Sequence, residues 1–535
     1  MKKIINGIKI LLIVTPLFLG TVGYYIAFGT GSFLDSLYAA VRLYGLNTDV
    51  AFADVNLMIE ISRWCAVFAV YTVIGTVLLR ITNLAMSYKT LFSNCVGLHG
   101  DSELLSEVKK TKGYRFVEGG KAAKRQLFWF NKEDDLQHYL VENWDLLEKK
   151  NTQNYICSHF FDENSNFFGN AVIVNLANIC ARLYWEKYFL REREKDIVII
   201  GFGKYGEHLL RQALLVNVLN KDVHVVYHVF VLSQEEKQAL EEFVDLHRGM
   251  EKFISIVGSN KEYNGDLLQQ DVLYLHQEGY AKAAALIEKA DRVIVTSDND
   301  MVNLETMYKI KEMVPRERID MRFLNDALLT KMWEKEGDLY CMNPNVNLKH
   351  GEKRQYIALF GSTNELTSLD TIFHDKLTYI AKLIHARWKL VISQHYDDLD
   401  TSLEEIVRSS DFQTEWNNLA PFYQYSNILQ ADHISHKVRF VLGEDVDVNS
   451  RNVGTDFKNE YASLSEQKKD ELSELEHIRW LRYYYFNNWE YDPVRNDFNR
   501  RHQDIQSFSK LDKGEKDKDE VTYEIKAYLD IRNAH

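Results

Sequence analysis

The sequence has few of the residues that mark disulfide-linked, zinc-binding or linker-rich proteins. Its five cysteines are scattered and form no C-x-x-C pair, which argues against a disulfide framework or a zinc site and fits reduced thiols in a cytosol. Only five prolines occur among 535 residues, and no Gly/Ser tract is present, so long flexible linkers are not expected. The length suits about three or four domains.

Basic charge and catalytic signatures are lacking as well. The net charge of −13 gives the whole chain no electrostatic attraction for nucleic acid or for an anionic membrane surface. There is no P-loop, H-E-x-x-H or G-x-S-x-G pattern, and the His and Asp residues show no metal-ligand spacing. We therefore expect no enzyme activity, no metal and no nucleic-acid partner.

Two long uncharged runs near the N-terminus predict membrane helices. Residues 10–28 carry no charge and would span about 28 Å as a helix. A signal peptide is the alternative, but no A-x-A cleavage site follows. The second predicted span, 62–82, holds an apolar run between Arg63 and Arg80. Basic residues outside both spans place both termini in the cytoplasm, with region 1–88 in a bacterial inner membrane.

The segment between these spans begins as an amphipathic helix and continues through Tyr44, Gly45 and Asn47. Helix, re-entrant segment, loop and helix follow one another in the same layout in a two-helix potassium-channel subunit. A potassium filter needs carbonyl groups aligned by several glycines, and only Gly45 is present. A less selective pore that uses these three residues and an ordinary external hairpin both remain open.

Region 90–195 predicts a degenerate Rossmann-like unit. Alternating strands and helices favour a parallel sheet, but no glycine fingerprint is present. The predicted strands are 95–98, 114–118 and 154–161, and the predicted helices are 103–110 and 172–188.

A G-x-G-x-x-G turn lies between a predicted strand at 196–200 and an amphipathic helix. The first glycine makes the tight turn, the second lets a phosphate approach the backbone, and the third lets helix and strand pack closely. The helix N-terminus then offers free N–H groups to an anion. The predicted nucleotide site comprises Gly201, Gly203, Lys204, Tyr205 and Gly206.

Further strands are predicted at 223–232, 253–257, 292–296 and 318–324. The strand–GFGKYG–helix pattern, followed by VIVTSDNDMVNLETM, resembles the RCK or TrkA-N nucleotide-binding domain that regulates potassium channels and Trk-type transporters. The resemblance covers 196–345. It implies a Rossmann fold that binds NAD(H) or another nucleotide, with Ser297 and Asp298 at the site. It also implies a homo-oligomer, either a dimer or a tetramer.

The second strand departs from the dinucleotide pattern. Its end normally carries an Asp or Glu that bonds the ribose hydroxyls, and Ser233 stands there instead. Ser233 can form one hydrogen bond but supplies no charge. The alternative is therefore a Rossmann scaffold that is kept for packing and assembly, with an empty pocket.

Region 352–535 contains two H-x-R-W motifs, within 383–388 and 475–480, which suggest an internal duplication. EHIRW (476–480), NWEYD (488–492) and the His502 segment resemble the ryanodine-receptor (RyR) repeat domain found in bacterial proteins. The resemblance implies a mainly helical domain that senses nucleotide-derived ligands. Aromatic, cationic and hydrogen-bonding side chains form its predicted site: Asn427, Gln430, Asp432, His433, Glu476, Arg479, Trp480, Trp489 and Tyr491. The alternative is that these residues are core or solvated surface.

Together these features predict two transmembrane helices, α/β Rossmann-like cytoplasmic domains of RCK type and a mainly helical RyR-like C-terminal domain. The first functional hypothesis is a membrane-anchored sensor, a channel-like oligomer gated by a cytoplasmic nucleotide-type ligand, with a setting in bacterial antiviral defence. The second is a Trk-like regulatory subunit of potassium transport without its own pore. The third is a membrane-bound NAD-dependent oxidoreductase.

Overall fold

The structure is a computed structural model that divides the chain into two compact units. One unit comprises Met1–Cys95 and Gly120–Lys124, and the other comprises Val96–Gly119 and Arg125–His535. The residues that the structure describes are 2–29, 33–48, 50–51, 55–90, 95–121, 123–149, 152–158, 171–258, 271–276, 279–314, 316–342, 354–373, 376–392, 403–514, 516 and 524–534.

Three helices form the first unit: α1 (Lys2–Ala27), α2 (Phe33–Arg42) and α3 (Leu57–Thr90). Small residues let them approach closely. A Cβ atom added at Gly20 would lie 3.1 Å from the Cβ of Ala40, and one at Gly23 would lie 2.8 Å from the Ile59 side chain. The Gly23 carbonyl also accepts a 2.8 Å hydrogen bond from the Asn56 amide. Such close backbone contact is typical of helices that pack by shape rather than by large side chains.

The two predicted membrane spans differ in how well the described helices match them. Among the described residues, one helix is long and apolar enough to cross a membrane, Leu57–Gly75, and Leu11–Ala27 is a shorter apolar helix. The predicted span at 62–82 therefore has a counterpart that begins at Leu57. The pair of transmembrane helices at 10–28 and 62–82 is not confirmed, because only one of the described helices meets the length and apolarity of a membrane span.

The helical unit exposes many large apolar side chains. Large amounts of exposed apolar surface on a protein are typical of an interaction site. Exposed members include Leu11, Phe18, Tyr25, Ile26, Leu34, Tyr38, Leu57, Trp64, Phe68, Tyr71, Val73 and Leu78.

A five-stranded sheet in the order β2-β1-β3-β4-β5 follows, and its β1–β3, β3–β4 and β4–β5 pairs are parallel. The parallel α/β arrangement expected for 90–195 is present. The strands are β1 (Cys95–His99), β2 (Arg115–Glu118), β3 (Arg125–Trp129), β4 (Gln153–Ser158) and β5 (Ala171–Asn175). The helices are α4 (Leu104–Val108), α5 (Glu133–Glu142), α6 (Trp144–Leu147) and α7 (Leu176–Lys187).

The predicted helix at 172–188 was wrong in its first turn, because Ala171–Asn175 is a strand. The Asn175 side chain accepts hydrogen bonds from the N–H groups of Ala177 and Asn178 and so starts the helix at Leu176. Strand β3 was not predicted. Residues 159–161 of the predicted strand 154–161 lie outside the described residues.

The second sheet has the strand order β12-β13-β14-β11-β10-β6-β7-β9-β8. Pairing is parallel from β14 to β8 and antiparallel at the β12–β13–β14 edge. The strands are β6 (Asp196–Ile200), β7 (Val226–Phe230), β8 (Ile254–Val257), β9 (Asp271–His276), β10 (Arg292–Val295), β11 (Arg318–Arg322), β12 (Glu334–Glu336), β13 (Leu339–Cys341) and β14 (Tyr356–Phe360). The helices are α8 (Lys204–Val216), α9 (Gln234–Leu246), α10 (Ala284–Lys289), α11 (Asp300–Met313) and α12 (Asp326–Met332).

The order of this sheet defines a crevice. From the central strand β6 the chain passes to β7 on one side and later to β10 on the other. The carboxyl ends of β6 and β10 therefore flank the switch point at which open parallel sheets bind ligands. The sheet is Rossmann-like, and its glycine turn follows β6.

The predicted boundary near residues 345–352 does not end this sheet. Strand β14 pairs in parallel with β11 along its whole length. It covers a strand edge that would otherwise expose unpaired backbone groups. The first strand assigned to 352–535 thus belongs to the same sheet as 196–345.

The C-terminal region is mainly helical, as expected. Its helices are α13 (Thr363–Leu366), α14 (Leu369–Ile372), α15 (Lys376–Ile392), α16 (Leu403–Arg408), α17 (Ser410–Asn418), α18 (Pro421–Leu442), α19 (Val453–Ser463), α20 (Glu466–Phe486) and α21 (Glu524–Ala534). Two short paired strands are β15 (Glu490–Tyr491) and β16 (Arg501–His502). One hydrophobic core runs through both sheets and these helices.

A buried ion pair links α20 to the second sheet. A guanidinium nitrogen of Arg482 lies 2.9 Å from the Asp271 carboxylate, and both side chains are buried. The same carboxylate accepts a 2.9 Å bond from the Val225 N–H. Asp271 is on β9 and Arg482 is on α20, so this buried pair links the C-terminal helices to the second sheet.

We predict that Arg482→Leu lowers the free energy of unfolding by about 3–5 kcal/mol, because it leaves the Asp271 carboxylate buried without its cationic partner. Lys468→Leu, which breaks the exposed Lys468–Glu471 pair, is the control and should cost at most about 1 kcal/mol. Urea titration of the detergent-solubilised chain, followed by circular dichroism, measures both. Equal losses of unfolding free energy in the two variants would contradict the proposed role of the Arg482–Asp271 pair in linking α20 to the sheet.

Candidate functional site

The glycine turn after β6 has the close backbone approaches that its spacing predicts. Gly201 has φ +105°, and a Cβ there would lie 2.8 Å from the backbone nitrogen of Ser297. A Cβ at Gly206 would lie 2.3 Å from the Gly201 carbonyl oxygen. Backbone atoms cannot swing aside, so the first and third glycines are required by packing.

The second glycine faces a carboxylate. A Cβ at Gly203 would lie 2.5 Å from the Asp298 carboxyl carbon. The two Asp298 oxygens accept hydrogen bonds from the N–H groups of Lys204 (3.0 Å) and Tyr205 (3.2 Å) at the start of α8. Asp298 is solvent-exposed. The protein's own anion therefore occupies the position that the motif offers to a phosphate.

The loop that carries Asp298 is fixed by its neighbours. The Ser297 N–H donates to the Asn303 side chain at 2.6 Å. The Asn303 amide donates to the carbonyls of Ser297 (2.8 Å) and Arg322 (3.0 Å). Asn303, the middle residue of the V-N-L segment, is buried and ties the end of β10 to β11. Ser297 thus shapes the loop through its backbone.

A second acid of the loop links it to α8. Asp300 forms a 3.0 Å ion pair with Arg322 and accepts a 2.9 Å bond from the Leu324 N–H. The Arg322 guanidinium lies 3.9 Å from the centre of the Tyr205 ring. Burial raises the pKa of Tyr205 to about 12, so this ring stays neutral. The segment that carries Asp298 and Asp300 therefore contacts both α8 and β11.

At the end of β7, Ser233 acts as a helix cap. Its hydroxyl accepts a 3.2 Å bond from the Glu236 N–H. The Glu236 carboxylate folds back to accept a 2.7 Å bond from the Leu232 N–H. Burial raises the pKa of Glu236, although its bonds to the N–H groups of Phe202 and Leu232 oppose the rise. An acid is thus present near the ribose position, and the S-x-x-E spacing is its sequence signal.

Carboxylates outnumber cations around the turn. Burial lowers the pKa of Lys204, and the charges of Asp298, Glu133 and Glu207 oppose that shift. Glu133 comes from the first sheet, where its carboxylate accepts a 3.1 Å bond from the Ser158 hydroxyl. Burial also raises the pKa of Glu133. Sequence reasoning missed Glu133, because only the tertiary structure brings its charge close enough to act on Lys204.

In the C-terminal region, Glu476 is the centre of a buried ionic cluster. It lies 2.9 Å from Arg479, 2.5 Å from Lys437 and 3.4 Å from His433. Burial opposes ionisation, but Arg479, Lys437 and the His433 hydrogen bond hold the pKa of Glu476 well below its usual range. Arg479 is only 1% exposed. The cluster is part of the core, and the predicted ligand role of these side chains stays a prediction.

The other predicted polar residues of α18 also have structural partners. The Asp432 carboxylate accepts bonds from Arg182 at 2.8 and 2.9 Å and from Gln212 at 2.8 Å. The Asn427 amide donates to the Tyr423 carbonyl one turn earlier. Gln430 is half-buried.

Two of the predicted aromatic platforms pack against other aromatic rings of the C-terminal region. Trp480 lies 4.0 Å from Tyr484 between ring centres, and Trp489 stacks on Phe422 at 5.2 Å. Tyr491 is exposed on β15. The nine predicted residues therefore do not converge on one open site.

The three pore candidates lie where α2 ends. Leu43–Gly45 forms a 3₁₀ turn, and Leu46, with φ 58°, returns its N–H to the Leu43 carbonyl. The Tyr44 hydroxyl donates to the Ile13 carbonyl of α1. Asn47 donates its backbone N–H to the Arg42 carbonyl. The two backbone contacts cap α2, and the Tyr44 contact joins the turn to α1 within one chain. A pore role stays a prediction.

Compared with protein-family models and with curated proteins, the chain matches none. Among solved structures, the crystal structure of GsuK bound to ADP is similar over 60% of this chain and 90% of that chain, with 15% identity and a TM-score of 0.26. The account of the site rests on the geometry above.

We predict that Arg479→Ala lowers the free energy of unfolding by about 3–5 kcal/mol, because it leaves the Glu476 carboxylate buried without its closest guanidinium. Arg495→Ala, which removes an exposed arginine paired with Asp497, should change stability by less than about 1 kcal/mol. Thermal unfolding of the purified chain compares them. Loss of ligand response in Arg479→Ala with unchanged stability would instead support the predicted ligand role.

Proposed function

We propose that this protein is a membrane-anchored sensor whose α/β region binds a nucleotide-type ligand. The observation that carries the proposal is the exposed Asp298 carboxylate on the N–H groups of Lys204 and Tyr205. It lies at the switch point of a parallel sheet, on a turn whose glycines leave room for a phosphate. A helix N-terminus that holds one anion can exchange it for another.

In this proposal the ligand phosphate competes with Asp298. When the phosphate takes the two N–H groups, the carboxylate is repelled and the 297–300 loop moves. Asp300 and Asn303 connect that loop to β11. The ligand binds the state in which Asp298 is displaced from the two N–H groups and does not bind the state in which Asp298 accepts their hydrogen bonds. Binding therefore shifts the population toward the displaced state.

The resemblance to RCK and TrkA-N domains supports NAD(H) or an adenine nucleotide as the ligand and a homo-oligomer as the working form. Glu236, at the end of β7, is near the position that bonds ribose hydroxyls in such folds. The proposed RyR-like domain has its ionic cluster in the core, which favours the glycine turn as the nucleotide site over the predicted RyR site.

The exposed apolar surface of α1, α2 and α3 supports a lipid partner. Side chains such as Phe18, Trp64 and Tyr71 are more than half exposed. Immersing them in a bilayer removes a large apolar area from water. The inner membrane of a bacterium, with both termini cytoplasmic, is the proposed location. A role in bacterial defence belongs to the same proposal.

We predict that Asp298→Asn raises the affinity for ADP at least about tenfold, or about 1.4 kcal/mol, because the competing charge is removed while the turn is kept. Isothermal titration of the detergent-solubilised full chain with ADP, and in parallel with NADH, measures the change.

Glu305→Gln is the matched control, because it removes one carboxylate from the exposed face of α11, where Glu305 pairs only with Lys309 among the described residues. Its affinity should equal that of the unmodified protein. An Asp298→Asn protein that binds ADP and NADH no better than this control contradicts the proposed nucleotide site.

We further predict that ADP triggers potassium efflux from liposomes that contain only this chain, and that Asp298→Asn does so at lower ADP concentrations. This is the outcome for a channel-like sensor. Nucleotide binding without efflux identifies the Trk-like regulatory subunit instead. Oxidation of NADH that depends on an added substrate would replace both with the oxidoreductase hypothesis.

A further inference from the structure

A cavity of about 650 Å³ lies among α7, α8, α18 and α21, away from the glycine turn. Its volume is in the range of small-molecule sites in proteins. Part of its lining is apolar, including Leu377, Ile380, Ile434 and Val446. Two arginines, Arg439 of α18 and Arg532 of α21, supply its distinctive charge.

Arg439 is buried with no carboxylate within ion-pair distance among the described residues, although the charges of Glu186 and Glu444 act on it from farther away. It is 9% exposed, and no described residue forms an ion pair with it. One guanidinium nitrogen donates to the Ser435 carbonyl of the same helix at 3.3 Å. The guanidinium also lies 3.5 Å from the centre of the Phe189 ring. No hydrogen-bond acceptor among the described residues reaches its Nε.

Arg532 has only partial compensation. It donates to the Val448 carbonyl at 2.6 Å and to the Ser435 hydroxyl at 3.4 Å, and it lies 3.6 Å from Glu186. Its Nε also lacks an acceptor among the described residues. Burial and, after it, the charge of Arg532 lower the pKa of Arg439 to about 10. The two guanidinium groups thus repel each other in a partly desolvated space.

Two other acids of the lining already have partners. Asp432 is held by Arg182 and Gln212, and Glu365 lies 3.7 Å from Lys187. The charges of Glu186 and Asp447, which also line the cavity, act on Arg532. Among the described residues, Arg439 is the lining arginine that has no carboxylate within ion-pair distance. Buried cations without counter-ions are unfavourable, and an anion that enters the cavity would relieve that cost.

We propose that this cavity is a second ligand site, which binds a soluble organic phosphate through Arg439 and Arg532. Guanidinium groups bind phosphate oxygens by paired N–H···O bonds, and the free Nε groups are donors of that kind. The organic part of the ligand packs against the apolar lining. This site is independent of the glycine turn and joins α7, behind the first sheet, to the C-terminal helix α21.

The test is isothermal titration of the full chain in detergent with inorganic pyrophosphate, which isolates the anion chemistry, and then with ADP. Arg439→Gln and Arg532→Gln should each weaken pyrophosphate binding at least tenfold. Arg495→Gln, on an exposed arginine, should leave it unchanged. Glu305→Gln, on the exposed face of α11, should also leave it unchanged. Binding that the two arginine substitutions weaken belongs to the cavity, and binding that Asp298→Asn strengthens belongs to the glycine turn, so failure of the two sites can be distinguished.

Ser435→Asp is a second variant that tests the cavity site, and it keeps both arginines in case an arginine variant fails to fold. Ser435 is buried against Arg532, so a carboxylate there would supply the missing anion from within. We expect it to abolish pyrophosphate binding and to raise the melting temperature of the ligand-free protein. Unchanged binding in Ser435→Asp or Arg439→Gln, absence of binding to the unmodified protein, or binding of phosphatidylglycerol vesicles without binding of ADP would overturn the proposal.

Discussion

The contact between the Asp298 carboxylate and the first N–H groups of α8 is the interaction on which this account depends. It joins the carboxyl end of β10 to the start of α8 at the centre of the second sheet. An exposed carboxylate at a helix N-terminus contributes only about 0.3–1 kcal/mol, which is why we propose that a ligand phosphate replaces it. The backbone approach at Gly206 cannot be exchanged in this way. The same turn therefore combines a rigid scaffold with a replaceable anion.

Two arginine-containing regions of the C-terminal helices differ in whether a carboxylate lies beside the guanidinium group. Arg479 has Glu476 beside it in the core, and together with Lys437 and His433 it forms a closed cluster that stabilises the fold. Arg439 has no such carboxylate and lines a cavity. The residue types are alike in the two places. What differs is whether the protein itself supplies the counter-ion, and this difference separates a structural cluster from a candidate binding site.

The glycine spacing was sufficient to predict the turn and the strand before it, because both are local. The role of Asp298 could not be predicted, since its contact with Lys204 and Tyr205 depends on the parallel pairing of β6 with β10. The helix predicted at 172–188 took in a strand, because a short apolar run fits both periodicities. Arg439 and Arg532 are far apart in sequence and share no motif, so only the packing of α18 and α21 brings them to one cavity.

The most direct test of the central claim is an experimental density map of the full chain at saturating ADP. The account predicts a phosphate of ADP on the N–H groups of Lys204 and Tyr205, with the Asp298 side chain turned away and the 297–300 loop shifted. A map in which Asp298 still caps α8, with no phosphate at Gly203, would contradict it.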